Sequence, residues 1–342
     1  MSAPRPLRVG LASFAHVHAA GYAALLRARP DVELLAADPD AATAPPDERR
    51  GQDLADDLGV TLVGSYDELF AAGLDAVVIC TENSRHRRLV ERAAAEGVHV
   101  LCEKPLATTV EDAEAMVRAC AEAGVQLMTA YPVRFHPAFG VLRERVRRGD
   151  LGSVLAVVGT NNGQAPLAAR RWFLDRELAG GGSLMDHTVH LADLLDALLE
   201  TEPASVYAQV NQVVHGGEVD VETGGLVVLD YGNGLVATID CSWSAPASYP
   251  SWGGLTLTVE ADRGSVTLDA FAERIEVFDD SVGGLRWASL GVNLDALMLD
   301  AFLHGVRSGE PVQPDGGVGL RTLRVVEAAY DSVQRGVPVP LA

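Results

Sequence analysis

Two clusters in this 342-residue chain combine side chains that handle protons. The first is Glu103-Lys104-Pro105, directly after the apolar run Val98-His99-Val100-Leu101-Cys102. A lysine at the end of a strand can stabilise an alkoxide or relay a proton, and Pro105 biases Lys104 away from helix. The second is Gly180-Gly181-Gly182-Ser183-Leu184-Met185-Asp186-His187-Thr188-Val189-His190. Asp186 and His190 are four apart, so a helix puts them on one face, with Asp193 a turn further and His187 rotated about 100° away. A carboxylate beside an imidazole orients it and favours its charged form. The expected chemistry is removal of a hydroxyl proton by His190 while carbon releases hydride. Metal ligation by Asp186, His190 and Asp193, or a purely structural pair, remains open from spacing alone.

These residues need elements to hold them. Leu7–Leu11 reads as a strand, Ala15–Arg29 has helical spacing, and Val32–Ala37 is a second strand ending at Asp38. Asp75–Cys80 is a continuous apolar run, the mark of a strand covered on both faces. Ser65-Tyr66-Asp67-Glu68 and Thr108-Thr109-Val110-Glu111 are capping boxes that open helices, and Gly97 and Gly124 close helices. Gln126–Ala130 is a further strand. Strand and helix alternate over residues 1–131, which predicts an α/β domain with a doubly wound parallel sheet whose ligands sit at the strand C-termini. Residues 132–342 read differently. Runs at Val154–Gly159, Val206–Val214, Gly225–Leu229, Leu235–Ser242, Leu255–Glu260, Gly264–Leu268 and Arg274–Phe278 predict a largely antiparallel sheet, followed by a helix over about 318–335.

A dinucleotide site would lie in the first strand–turn–helix. Gly10-Leu11-Ala12-Ser13-Phe14-Ala15 fits the usual glycine pattern only in part: Gly10 is expected at the tight turn, Ala15 where helix packs on strand, and Ala12 places a Cβ where backbone should approach pyrophosphate. Ser13 could donate to phosphate and His16 could add positive charge. Asp38 would accept from the adenosine ribose and repel a 2′-phosphate, favouring NAD over NADP. Thr81, Glu82 and Asn83 follow a strand and are either a helix cap or cofactor contacts. His16-Val17-His18 could bind metal but has no third ligand in sequence, so no metal is expected.

Composition narrows the partners. Lysine plus arginine number 27 against 47 acids, a net charge of −20 that disfavours nucleic acid. The four cysteines lack paired or metal-like spacing and read as buried thiols of a cytoplasmic protein. No apolar run approaches a membrane span, and the N-terminal stretch is not expected to be a signal peptide.

Taken together, these residues resemble the Gfo/Idh/MocA oxidoreductases. The resemblance rests on Glu103-Lys104-Pro105, Asn83-Ser84-Arg85-His86, Tyr131-Pro132-Val133-Arg134-Phe135-His136-Pro137, Trp172-Phe173-Leu174-Asp175, the Asp186/His190 helix, and Glu327-Ala328-Ala329-Tyr330-Asp331-Ser332. It implies an N-terminal Rossmann domain, a C-terminal α+β domain with an open sheet that often mediates dimers or tetramers, and a nicotinamide cofactor between them. By position, Lys104, Asp186 and His190 match the family's catalytic trio. Gly10, Ala12, Ser13, Phe14, Ala15, Asp38, Thr81, Asn83, His86, Glu103 and Lys104 are the expected cofactor contacts; Arg134, Asn161, Trp172 and His187 are candidate substrate contacts. The expected reaction is NAD-dependent oxidation of a secondary hydroxyl of a sugar, sugar derivative or cyclitol. The alternatives are redox-assisted elimination or glycoside cleavage, and a non-catalytic sensor of cofactor or sugar.

Overall fold

A computed structural model describes residues 5–167, 170–279, 284–289 and 291–341. The first half is β1 (Leu7–Ala12), α1 (Ala19–Arg27), β2 (Val32–Ala37), α2 (Gly51–Leu58), β3 (Thr61–Val63), α3 (Tyr66–Ala71), β4 (Ala76–Ile79), α4 (His86–Ala95), β5 (His99–Cys102), α5 (Val110–Ala123) and β6 (Leu127–Thr129). The strands form one parallel sheet in the order β3-β2-β1-β4-β5-β6. Helices cover both faces, which is why β4 can be wholly apolar and wholly buried. Strand order reverses between β1 and β4, so the crevice at their C-terminal ends is where a ligand fits.

Local chemistry sets the helix starts. Ser65 accepts from the Glu68 amide, as its capping box predicts. In the second box the frame moves by one residue: Thr109, not Thr108, is the cap and accepts from the Asp112 amide. One further expectation changes. Gly10 is not at a turn. It lies inside β1, paired with Leu35 and Val77, where an added Cβ would run into Leu74 and meet Leu69. The chain turns at Ser13, whose φ is 76°.

The second half contains α6 (Pro137–Arg147), β7 (Val154–Gly163), α7 (Arg176–Ala179), α8 (Ser183–Leu199), β8 (Ser205–Asn211), β9 (Gly224–Asp230), β10 (Val236–Asp240), β11 (Gly253–Ala261), β12 (Gly264–Asp269), β13 (Arg274–Asp279), β14 (Gly284–Ser289), α9 (Leu294–Ser308), α10 (Gly316–Arg335) and β15 (Val339–Pro340). Seven strands form a sheet in the order β12-β11-β7-β10-β9-β8-β15, antiparallel except for β10 against β7. Leu184, Leu191 and Leu195 of α8 pack with Val157, Val227 and Ile239 of the sheet in one core. On the opposite face Val158, Leu226 and Val236 are exposed.

Two helices tie the halves together. Met298, Leu299, Phe302 and Leu303 of α9 join the core beneath β1 and α1, and Val318, Leu323 and Val326 of α10 pack with Met185 and Val189 of α8 against the first sheet. Residues after 290 therefore return to complete the first half. The four cysteines are free and buried.

Candidate active site

The N-terminus of α8 is held by an acid that spacing did not single out. Glu222 is buried, and its Oε1 accepts the Gly182 and Leu184 amides at 2.8 and 3.2 Å and the Tyr330 hydroxyl at 2.7 Å. A carboxylate there meets the unpaired amides and the positive end of the helix dipole. The glycines ahead of α8 have a steric reason: a Cβ on Gly181 would overlap the Tyr330 hydroxyl, and one on Gly182 the Glu222 carbonyl.

From this fixed start α8 delivers Asp186 toward the end of β5. Lys104 Nζ donates to Asp186 Oδ1 at 2.6 Å, and Trp243 Nε1 donates to Oδ2 at 3.2 Å. His187 Nε2 stands 3.2 Å from Oδ2, and its Nδ1 bonds the Asn161 carbonyl at 2.8 Å. Burial alone would raise the Asp186 carboxyl; Lys104 and His187 outweigh it and hold the group well below the usual carboxylate range. His187 thus reaches the carboxylate despite its helical rotation, and Trp243 has no sequence signal beyond being a tryptophan in a strand-rich region.

His190 has a different environment from the expected one. Asp186 is committed to Lys104, Trp243 and His187, while His190 makes no hydrogen bond and its Nδ1 is buried without a partner. Its ring stands edge-on to Tyr131 at 5.9 Å. Burial, reinforced by Lys104, pushes the imidazole well below its ordinary range. His190 is therefore neutral near pH 7, the opposite of the charged form expected from a neighbouring carboxylate, and it holds a free lone pair. Asp193, the third residue of the helix face, pairs with Arg134 at 2.8 Å, and burial pushes its carboxyl up to about 7.

Lys104, Asp186, His187, His190, Asn161 and Phe173 line one cavity of about 210 Å³. Of the expected substrate contacts, Asn161 and His187 face it. Arg134 does not: it is engaged by Asp193 and Asp196, further along α8. Trp172 does not either. It stacks on Phe173 at 3.9 Å and donates Nε1 to the Ala15 carbonyl, so Phe173 is the residue that faces the cavity.

The nucleotide side lies next to this cavity. Ser13 does not aim its hydroxyl at open space; Oγ donates to Asp38 Oδ1 at 2.9 Å. Asp38 also receives Arg50 at 2.7 and 3.2 Å and the Gly51 amide at 3.1 Å, while Arg50 pairs with Glu82 at 3.3 Å. His86 is fully buried between the Thr81 carbonyl and the Pro105 and Leu106 carbonyls, so it ties two loops together and makes no surface for a cofactor. Thr81 Oγ1, Asn83 Oδ1 and His16 Nε2 are buried polar atoms without partners. Such orphans at the end of β4 and beyond β1 fit a dinucleotide that would satisfy them.

Among the described residues, one group of donors is close enough to share a metal ion: His16, His18 and Glu103. Asp186, His190 and Asp193 form no such group. The third ligand missing from the His-x-His spacing, Glu103, comes from just beyond the end of β5. Burial would raise Glu103, but His16, His18 and Lys104 more than offset it and hold the carboxyl well below the usual range.

A Rossmann sheet carrying a lysine–aspartate–histidine cluster against an open mixed sheet defines a two-domain nucleotide-dependent oxidoreductase. Residues 9–131 match the oxidoreductase family with NAD-binding Rossmann fold, and residues 139–267 match the GFO/IDH/MocA C-terminal domain. The chain belongs to the Gfo/Idh/MocA family. It is 33% identical to D-xylose 1-dehydrogenase (NADP(+)) 2 of Haloferax volcanii, over 88% of this chain and 91% of that protein. It is 30% identical to myo-inositol 2-dehydrogenase of Thermotoga maritima, over 78% of this chain and 80% of that one. Among solved structures, GenD2 from gentamicin A biosynthesis in complex with NAD superposes with a TM-score of 0.88 at 25% identity, covering 100% of this chain and 98% of that chain.

Proposed function

We propose that this enzyme oxidises a secondary hydroxyl of a sugar, sugar derivative or cyclitol, using NAD in preference to NADP. The observation that carries the reading is the cavity in which Lys104, paired to Asp186, and an unpaired, neutral His190 converge. A bound nicotinamide supplies the hydride acceptor. Within the cavity His190 takes the hydroxyl proton. Lys104, fixed by Asp186, donates to the substrate oxygen and stabilises its developing negative charge. Asp186 acts by positioning Lys104 and His187; both His187 nitrogens are engaged, so of the two only the Asn161 side chain binds a further hydroxyl. The related dehydrogenases named for xylose and inositol support a polyhydroxylated substrate.

The preference for NAD rests on charge. Asp38, Asp40 and Glu82 outnumber Arg50 and Arg85 in the cluster at the end of β2, leaving a negative balance that opposes a 2′-phosphate. Thr81 and Asn83 offer their unpartnered oxygens to the cofactor. Kinetics with both cofactors over a panel of pentoses, hexoses and inositols tests the reading, with higher kcat/KM for NAD as the expected result. Preference for NADP would instead make Arg50 the 2′-phosphate ligand.

The exposed aliphatic face of the second sheet supports a homodimer or homotetramer, with Val158, Leu226 and Val236 at its centre. Cytoplasmic location is part of the same reading. No helix among the described residues is long and apolar enough to cross a membrane.

A further inference from the structure

The turn between β1 and α1 holds an arrangement that hydride transfer does not require. His18 Nδ1 lies 2.9 Å and His16 Nδ1 lies 3.4 Å from the same oxygen, Oε1 of Glu103. The His18 contact is a hydrogen bond. The His16 contact is not one: His16 Nδ1 accepts from the His18 amide at 3.3 Å, so it carries no proton for the carboxylate oxygen beside it. An unprotonated imidazole nitrogen beside a buried carboxylate oxygen suits a cation shared by both. The spacing suits one. Ligand atoms about 2.1 Å from a tetrahedral ion stand about 3.4 Å apart, and about 3.0 Å apart at right angles.

We propose that His16, His18 and Glu103 bind a divalent transition-metal ion, zinc being the best match to a set of two imidazoles and one carboxylate. Glu103 is fully buried and His16 nearly so, while His18 is partly open to the cavity. His16 and His18 also line the cavity that contains Lys104 and His190. Three protein ligands leave a coordination position, and a water or a substrate oxygen in that cavity fills it.

The site is independent of the dehydrogenase reading and is tested without substrate or cofactor. Full-length protein is stripped with a chelator, then titrated with zinc by calorimetry and with cobalt by visible absorption. The expected result is one ion per chain and an intense cobalt ligand-field band, with affinity at least 100-fold weaker in Glu103→Gln and in His18→Ala. Lys104→Met removes a nearby positive charge but no ligand and is expected to keep the band. Circular dichroism establishes that each variant is folded. Absence of zinc heat and of a cobalt band in the wild type would overturn the proposal. So would one-to-one binding unchanged in both ligand variants, which would place the ion elsewhere.

Discussion

At the residue scale, the main consequence is a division of labour inside the Lys104, Asp186, His190 cluster. Asp186 is spent on Lys104, and His190 stands alone as a neutral imidazole, the base of the proposed mechanism. His190→Ala is expected to lower kcat by about 10²–10⁴-fold while the protein stays folded, since the ring forms no hydrogen bond that the fold depends on. Steady-state kinetics with circular dichroism checks both halves of this. The pH profile carries a sign. A base works when unprotonated, and burial holds the His190 imidazole below its ordinary range. Activity limited by this group should therefore persist as pH falls through about 6.5 and decline only in more acidic solution. A limb centred near 6.5 that His190→Ala does not remove would assign it to another group. Asp186→Ala acts differently, because it leaves Lys104 buried and uncompensated. Loss of about 3–5 kcal/mol of stability is expected alongside lost activity, measured by denaturant unfolding.

At the element scale, the site depends on where α8 begins. Gly182 allows the helix to start against the Glu222 backbone, and Glu222 then caps it. Gly182→Ala has to displace that start. A lower melting temperature and a fall in kcat together are expected, because Asp186 and His190 ride on the same helix. Thr109→Ala, by contrast, removes only the cap of α5 and is expected to cost about 1 kcal/mol with little effect on turnover. Elements of this kind were largely legible in the sequence. The buried β4 showed as an unbroken apolar run, and the α8 face as an acid and an imidazole four residues apart. What escaped was non-local. Glu222 and Trp243 reach Asp186 and its helix only through the second sheet. Gly10 invited a turn assignment because nothing local tells a glycine admitting Leu74 from one at positive φ. Helix α9 was missed because its apolar face pairs with α1, nearly three hundred residues away in the chain. His190 was misjudged because helical spacing gives the neighbour but not the partner that claims its carboxylate.

At the scale of the whole molecule, two halves close on one cavity and one sheet face is left bare. If the proposed dimer or tetramer forms through that face, a charge there, as in Leu226→Asp, converts it to monomers in light scattering while the fold persists; a monomeric wild type or an unchanged mass in the variant would contradict the proposal. The cavity itself sets the central claim, that a substrate hydroxyl is oxidised between Lys104 and His190. The most direct measurement follows NADH formation and carbonyl product together, for the wild type, Lys104→Met and His190→Ala, across a panel of sugars and cyclitols. The account predicts one NADH per oxidised product in the wild type and loss of both in each variant. Consumption of substrate without net NADH would contradict it in favour of redox-assisted elimination. Absence of any turnover, with cofactor bound, would contradict the assignment of this cavity as a catalytic site.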